Sequence, residues 1–154
     1  MKATALLGAV LALAGCGGGG AQRNATEHAT AARSMAAATP AWLPNGRSIF
    51  LTGKDASGTQ ITASKPPLRP SCAACHRPDG SGGVHLPGGA VSADLRHKAL
   101  VTDQKHPYTL ALLQRAISTG TDNEGKPLSP VMPHWRMPKR DLHDVAQYVL
   151  TQLR

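Results

Sequence analysis

The sequence has few aromatic residues and few cysteines. Phe, Trp and Tyr together make up 3% of the 154 residues, and there are three cysteines. A small chain with so few large apolar side chains buries little apolar area, so its fold usually needs a metal, a cofactor or disulfides. Three cysteines, one of which lies in an export signal described below, are too few for a disulfide framework. A bound group is therefore expected.

Several kinds of catalytic and structural pattern are also missing. The sequence shows no paired carboxylates, no nucleophile–base arrangement, no phosphate-binding loop, no internal repeat and no sustained strand alternation. Acidic residues are scarce, with 9 against 17 Lys and Arg, giving a formal charge of +8. Such a charge favours an anionic partner or an acidic docking surface. The 16 glycines and 12 prolines indicate that much of the chain is loop.

The first residues have the layout of an export signal. "MKATALLGAVLALAGC" has a lysine, a short apolar run and small residues before Cys16. "LAGC" resembles the bacterial lipobox, which implies cleavage before Cys16 and lipidation of that cysteine. The alternative is an ordinary cleaved signal with an incidental cysteine. The expected location is the periplasmic side of a bacterial membrane, with Gly17 favouring the outer membrane by analogy with that motif.

The organisation predicted from these patterns is a lipoprotein signal peptide (1–15), a flexible lipid-anchored tether (16–41) and a folded domain (42–154). Within the domain, Asn45 is expected to cap a helix that ends near Gly53. "PYTLALLQRAISTG" predicts a helix over 107–119. The last helix is predicted from the apolar spacing of Leu142, Val145, Ala146, Val149, Leu150 and Leu153. A mainly α fold with long loops follows.

The stretch "CAACH" is the most specific motif in the sequence. Cys72 and Cys75 could form a disulfide, half of a zinc site or a redox pair, but a zinc site needs four ligands and a thioredoxin-like pair expects a βαβ setting. A simple disulfide gives His76 no role. Covalent haem uses all three residues, because the two thiols attach the haem and the histidine becomes the proximal iron ligand.

A haem iron held by His76 needs a second axial ligand or an open site. "SPVMPHWRMPKRDL" supplies Met132, His134 and Met137 as candidates. Met132 is favoured because it lies between two prolines, and the proline after it restricts it to extended geometry. Met137 is expected to pack beneath the last helix, and His134 remains the alternative ligand.

The chain resembles a class I c-type cytochrome from about Gly46 to Leu153. The resemblance rests on "NGRSIF", "CAACHRPDGSGG", "RAISTGTDNEGKPLSPVMPHWRM" and the final amphipathic helix. It implies a small cytochrome c fold with three to five short helices and long loops around one covalent haem c. It also implies that Gly46 and Phe50 on the first helix pack against Tyr148 on the last, and that the axial methionine precedes a proline, as Met132 does.

Three details are left open by the resemblance. Trp135 is expected to cover a haem edge or to pack under the last helix. The link between Phe50 and Cys72 is longer than is usual in the family, so its path is uncertain. The backbone carbonyl that orients His76 is expected within residues 87–95, although Ala93 replaces a proline common among relatives.

The predicted function is one-electron transfer at a membrane surface outside the cytoplasm by a carrier that is not itself an enzyme. Two alternatives are a haem subunit of a larger oxidoreductase and a ligand sensor or enzyme with a labile sixth position. The expected partners are a redox protein donor and acceptor with an acidic docking surface, and no nucleic acid. A basic collar for them is predicted from Lys54, Lys65, Arg69, Arg77, Lys126, Arg136, Lys139 and Arg140.

Overall fold

The computed structural model of the protein describes residues 39–154. The predicted signal peptide, Cys16 and all but the last three residues of the predicted tether lie outside the described residues. The described part is mainly helical, as predicted, and none of its helices is long and apolar enough to cross a membrane. Its main elements are α1 (Trp42–Thr52), β1 (Thr62–Ala63), α2 (Ala73–His76), α3 (Leu110–Thr119), β2 (Trp135–Arg136) and α4 (Lys139–Gln152). Short turns of 3₁₀- and π-helical geometry lie at Pro87–Gly89 and Lys98–Thr102.

The first helix begins earlier than predicted. α1 starts at Trp42, and Asn45 is a buried residue within it rather than its N-cap. The Asn45 side chain instead donates to Asp141 and Asp144 of α4, each at 2.9 Å, and accepts from the Ala56 backbone N–H at 2.8 Å. An asparagine near the start of a helix is a common N-cap residue. Here its side-chain amide instead hydrogen-bonds to carboxylates that lie almost a hundred residues further along the chain.

α1 and α4 pack against each other at very short range. A Cβ placed on Gly46 would lie 2.1 Å from the Asp144 carbonyl oxygen and 2.9 Å from Tyr148 Cβ. Only glycine lets the two backbones approach so closely. One helical turn further along α1, the Phe50 ring lies 5.5 Å from the Tyr148 ring, centroid to centroid and tilted by 43°. Such tilted pairs add to the stabilisation that burial alone provides.

The middle helix is shorter than predicted. α3 begins at Leu110, because Thr109 is extended (φ −88°, ψ 168°) and its side chain caps the helix by accepting from the Leu112 N–H at 3.3 Å. Residues 107 and 108 therefore precede the helix. Gly120 ends it in a left-handed conformation, with φ 68°. The apolar face of α3 buries Leu113 and Ile117, and this helix also packs against α4.

The link between α1 and α2 folds back on itself. A turn closes at 55–58, where the Gly58 N–H donates to the Asp55 carbonyl at 3.0 Å. The chain then forms β1, which pairs antiparallel with β2 in the register Thr62↔Arg136 and Ala63↔Trp135. The path that the sequence left uncertain is thus a loop that crosses to the segment before α4.

Candidate haem site

A cavity of about 530 Å³ lies within the described domain. Its size falls in the range of small-molecule and cofactor pockets. Every helix contributes to its wall, with Phe50 from α1, His76 from α2, Ile117 from α3 and Val149 from α4. Phe50, Ile117 and Val149 are all buried core residues. The wall is therefore largely apolar, which suits a large apolar ligand with a few polar anchors.

The two cysteines of the CAACH stretch lie on the cavity wall. Cys72 precedes α2 and accepts from the backbone N–H groups of Cys75 at 3.1 Å and His76 at 2.8 Å, so one helical turn brings the two thiols to the same wall. Neither thiol is in a disulfide. Burial raises the pKa of the Cys72 thiol to about 12 and also raises the pKa of Cys75, against a lowering by Arg69. Both thiols are therefore protonated near neutral pH.

His76 is buried and held in one orientation. Its Nδ1 lies 2.8 Å from the Ala93 carbonyl oxygen, within the segment predicted to orient it. Burial lowers the pKa of His76, and the Ala93 carbonyl acts in the opposite direction. The ring is therefore neutral at pH 7. With Nδ1–H donating to the carbonyl, Nε2 keeps its lone pair for a metal.

The Ala93 carbonyl is itself fixed by its neighbours, which sequence reasoning missed. Ser92 Oγ donates to the Cys75 carbonyl at 2.8 Å and accepts from the Val84 N–H at 2.9 Å. A Cβ on Gly82 would lie 2.3 Å from the Ala93 oxygen, so the turn after His76 packs tightly on that carbonyl. A lone Ser and a lone Gly in loops give no sequence signal for this role.

The three candidates for the sixth ligand lie in different surroundings. Met132 is half-buried and lines the cavity, together with Pro133 and Trp135. His134 is exposed, and its ring lies over Gly120, where an added Cβ would be 2.2 Å from Nε2. Met137 is half-buried against the hydrophobic core but is not part of the cavity wall. The structure thus brings Met132, and neither of the other two, to the same cavity as His76.

One part of the wall is polar and includes Tyr108, Asp122 and Asn123. Arg115 lies behind this part of the wall, bonded to Asp122, and does not itself line the cavity. Arg115 donates from one terminal nitrogen to the Asp122 carbonyl at 2.5 Å, but its Nε has no hydrogen-bond partner within residues 39–154. A haem carries propionate carboxylates, which are the type of acceptor that this Nε lacks. Arg115 has no motif around it, so only its surroundings in the fold single it out.

The predicted basic collar contributes one residue to the cavity wall. All eight of its cations are exposed, but only Arg69 lines the cavity. Lys126 pairs with Glu124 at 2.7 Å. Within the described part of the chain, no three His, Cys, Asp or Glu side chains form a group that could hold a metal ion.

A family model described as cytochrome c matches residues 45–152, which is 108 of the 154 residues. The chain belongs to the cytochrome c family. It is therefore a c-type cytochrome, a haem-based electron carrier that binds haem c covalently and has redox proteins as partners. No significantly similar chain was found among the curated proteins or the solved structures. The class I, single-haem subdivision stays a prediction.

The residues of this cytochrome c fit the cofactor on structural grounds. The cavity is largely apolar and of suitable size, and two thiols and an oriented neutral imidazole share its wall. In addition, a buried guanidinium nitrogen of Arg115, which is bonded to the lining residue Asp122, lacks an acceptor within residues 39–154. Cys72 and Cys75 would hold the haem through thioether bonds, and His76 would bind the iron. When bound, haem supplies an iron that cycles between the ferrous and ferric states.

Proposed function

We propose that this cytochrome c transfers single electrons with both axial positions of the iron filled, by His76 and Met132. The observation that supports the proposal is that these two side chains line one cavity, whereas His134 and Met137 do not. Thioether ligation raises the reduction potential of a haem. A permanently ligated iron reacts poorly with small ligands, which suits a carrier and disfavours a gas sensor.

Changing the proposed sixth ligand is the direct test. Met132→Ala should abolish the weak near-infrared band of thioether-ligated ferric haem, lower the potential and let ferrous iron bind carbon monoxide. Met137→Ala and His134→Ala are the matched controls, and both should keep the band. Met137→Ala should still lose stability, by less than the roughly 2–5 kcal/mol of a fully buried methionine, because it is only half-buried. If the Met137 variant loses the band and the Met132 variant keeps it, the ligand is Met137.

Electrons would enter and leave through the cavity mouth. Leu68 is 57% exposed and Val91 is 55% exposed, and both line the cavity, next to the cation Arg69. Exposed apolar side chains beside a cation fit a partner with an apolar centre and an acidic rim. The proposed partner is therefore an acidic redox protein that covers this mouth.

Ionic strength and side-chain changes separate two kinds of docking. For a diffusing carrier, the electron-transfer rate should fall with salt, since the Debye length shrinks from about 30 Å at 0.01 M to about 8 Å at 0.15 M. Leu68→Ser should slow transfer at every salt concentration, whereas Arg69→Gln should weaken the salt dependence. Lys139→Gln, outside the cavity wall, is the charge control. A flat salt profile with co-purification of a larger complex would instead favour a permanently docked oxidoreductase subunit.

The proposed place of work is the periplasmic side of a bacterial membrane, with the protein anchored through lipid on Cys16. The support is the "LAGC" sequence after a short apolar run. Cleavage there would remove Lys2 and leave a formal charge of +7, one less than the +8 of the whole chain. Cys16→Ser should move the protein out of the membrane fraction. A mature N-terminus without lipid, found by mass spectrometry, would refute the anchor but not the electron-transfer proposal.

A further inference from the structure

We propose that residues 61–65, here called the strap, position Met132 as the sixth iron ligand. The strap is part of the long link between α1 and α2. The proposal rests on Met132 being the sixth ligand, and it adds that the ligand is held from outside its own loop. The strap residues do not bind the iron themselves; their role is to position the side chain of Met132.

The strap contacts the Met132 loop on both sides of the methionine. Lys65 Nζ donates to the carbonyl of Pro130, two residues before Met132, at 2.5 Å. The Ser64 N–H donates to the carbonyl of His134, two residues after it, at 2.9 Å. Pairing of β1 with β2 continues the contact, and Thr62 Oγ1 donates to the Arg136 carbonyl at 3.2 Å. The loop is thus hydrogen-bonded to the strap both before and after Met132.

The strap has its own anchor in the rigid part of the domain. The Ile61 N–H donates to the Gly53 carbonyl at the end of α1 at 2.9 Å, and the Ile61 side chain is buried. A Cβ on Gly53 would lie 2.0 Å from the Pro70 oxygen, so the two ends of the link touch. The link therefore closes on itself just before Cys72 and ties the haem-attachment segment to the Met132 loop.

Inside its own loop, Met132 has little support. Its N–H donates to the Ser129 carbonyl at 2.9 Å, and the preceding Val131 N–H makes a long bond of 3.4 Å to Ser129 Oγ. Both bonds stay within the loop, which is tied to the end of α3 by the bond from the Leu128 N–H to the Gly120 carbonyl at 2.8 Å. Without the strap, binding of the thioether to iron would also have to offset the conformational entropy lost when the loop becomes ordered. The strap fixes that loop in advance and so favours the ligated state over the open one.

The test uses the holoprotein, with variants that remove one bond each. Lys65→Ala and Ser64→Pro remove the donors to Pro130 and His134, because proline has no N–H. Each should raise the rate of carbon monoxide binding to the ferrous protein about two- to tenfold, the range expected for one lost hydrogen bond. On heating, the near-infrared band should disappear well below the temperature at which the helices unfold. A purely structural role would shift both transitions together.

Two variants serve as controls. Lys65→Arg keeps a donor and should restore wild-type behaviour. Lys54→Ala removes the same charge from the same link, and within the described residues the Lys54 ammonium makes no hydrogen bond.

Two results would overturn the inference. If Lys65→Ala and Ser64→Pro match the wild type while Met132→Ala changes both readouts, the strap has no positioning role and the ligand assignment stands. If Met132→Ala also changes neither, the ligand assignment fails, and the strap proposal fails with it.

Discussion

Replacing Gly46 with alanine should destabilise the holoprotein strongly, although alanine is the better helix former. The added Cβ would lie 2.1 Å from the Asp144 carbonyl oxygen, where ordinary contacts are 3.4 Å or more. α1 and α4 would therefore have to separate by more than 1 Å at this point. The contact belongs to backbone, so no flexible side chain can move aside to relieve it.

The magnitude follows from three effects. Alanine gains about 1 kcal/mol over glycine inside a helix. Overpacking costs about 1–3 kcal/mol. Separating the helices also stretches the 2.9 Å bonds from Asn45 to Asp141 and Asp144, and hydrogen bonds to charged groups contribute about 1.5–3 kcal/mol each. We expect a net loss of about 2–4 kcal/mol, a large part of the roughly 5–15 kcal/mol by which domains are stable.

The assay is denaturant unfolding of the ferric holoprotein, followed by far-ultraviolet circular dichroism. Arg47→Ala is the matched control, because Arg47 is the exposed neighbour of Gly46 on the same helix. It should change the free energy of unfolding by no more than about 0.5 kcal/mol. A Gly46→Ala protein as stable as the wild type would show that the two helices do not cross at this distance, and the reasoning would be wrong.

Three other predictions concern the site and its surroundings. The hydrogen bond from Arg96 holds the pKa of Asp94 below its usual value, so Arg96→Gln should lower stability above about pH 4. That difference should shrink as the pH falls through the Asp94 pKa, as urea unfolding at pH 7 and pH 3 would show. Arg115→Gln should lower the reduction potential relative to Arg115→Lys in voltammetry. A nearby cation disfavours the ferric state, which carries one more positive charge than the ferrous state, so removing the cation stabilises the ferric state. Changing both Cys72 and Cys75 to serine should leave haem extractable by acidified solvent and reduce the helical signal in circular dichroism.

The sequence predicted best what is encoded locally. The CAACH stretch places two thiols and an imidazole within one helical turn, so spacing alone brings them to one wall. The last helix was predicted from apolar periodicity, and it does bury Val145, Ala146 and Val149. The carbonyl beside His76, that of Ala93, lies within the nine residues predicted.

What the sequence could not predict depends on contacts between distant segments. Asn45 has the local features of a cap, and only the arrival of α4 turns it into a buried partner of two carboxylates. Lys65 looked like one cation of a surface collar, but its ammonium reaches a carbonyl 65 residues further along the chain. The buried Nε of Arg115 is likewise visible only once the fold joins Arg115 to Asp122, a residue of the cavity wall.

The scarcity of aromatic residues and the presence of the cavity are related, because both leave the hydrophobic core incomplete without a bound group. The chain has few large side chains to fill its core, and a largely apolar cavity of about 530 Å³ lies where the helices meet. Water could fill the space, but it would contact an apolar wall and regain little of the lost packing. Because all four helices line this space, a haem bound there would be shared by the whole hydrophobic core as well as being the redox group. Folding and haem attachment should therefore be coupled.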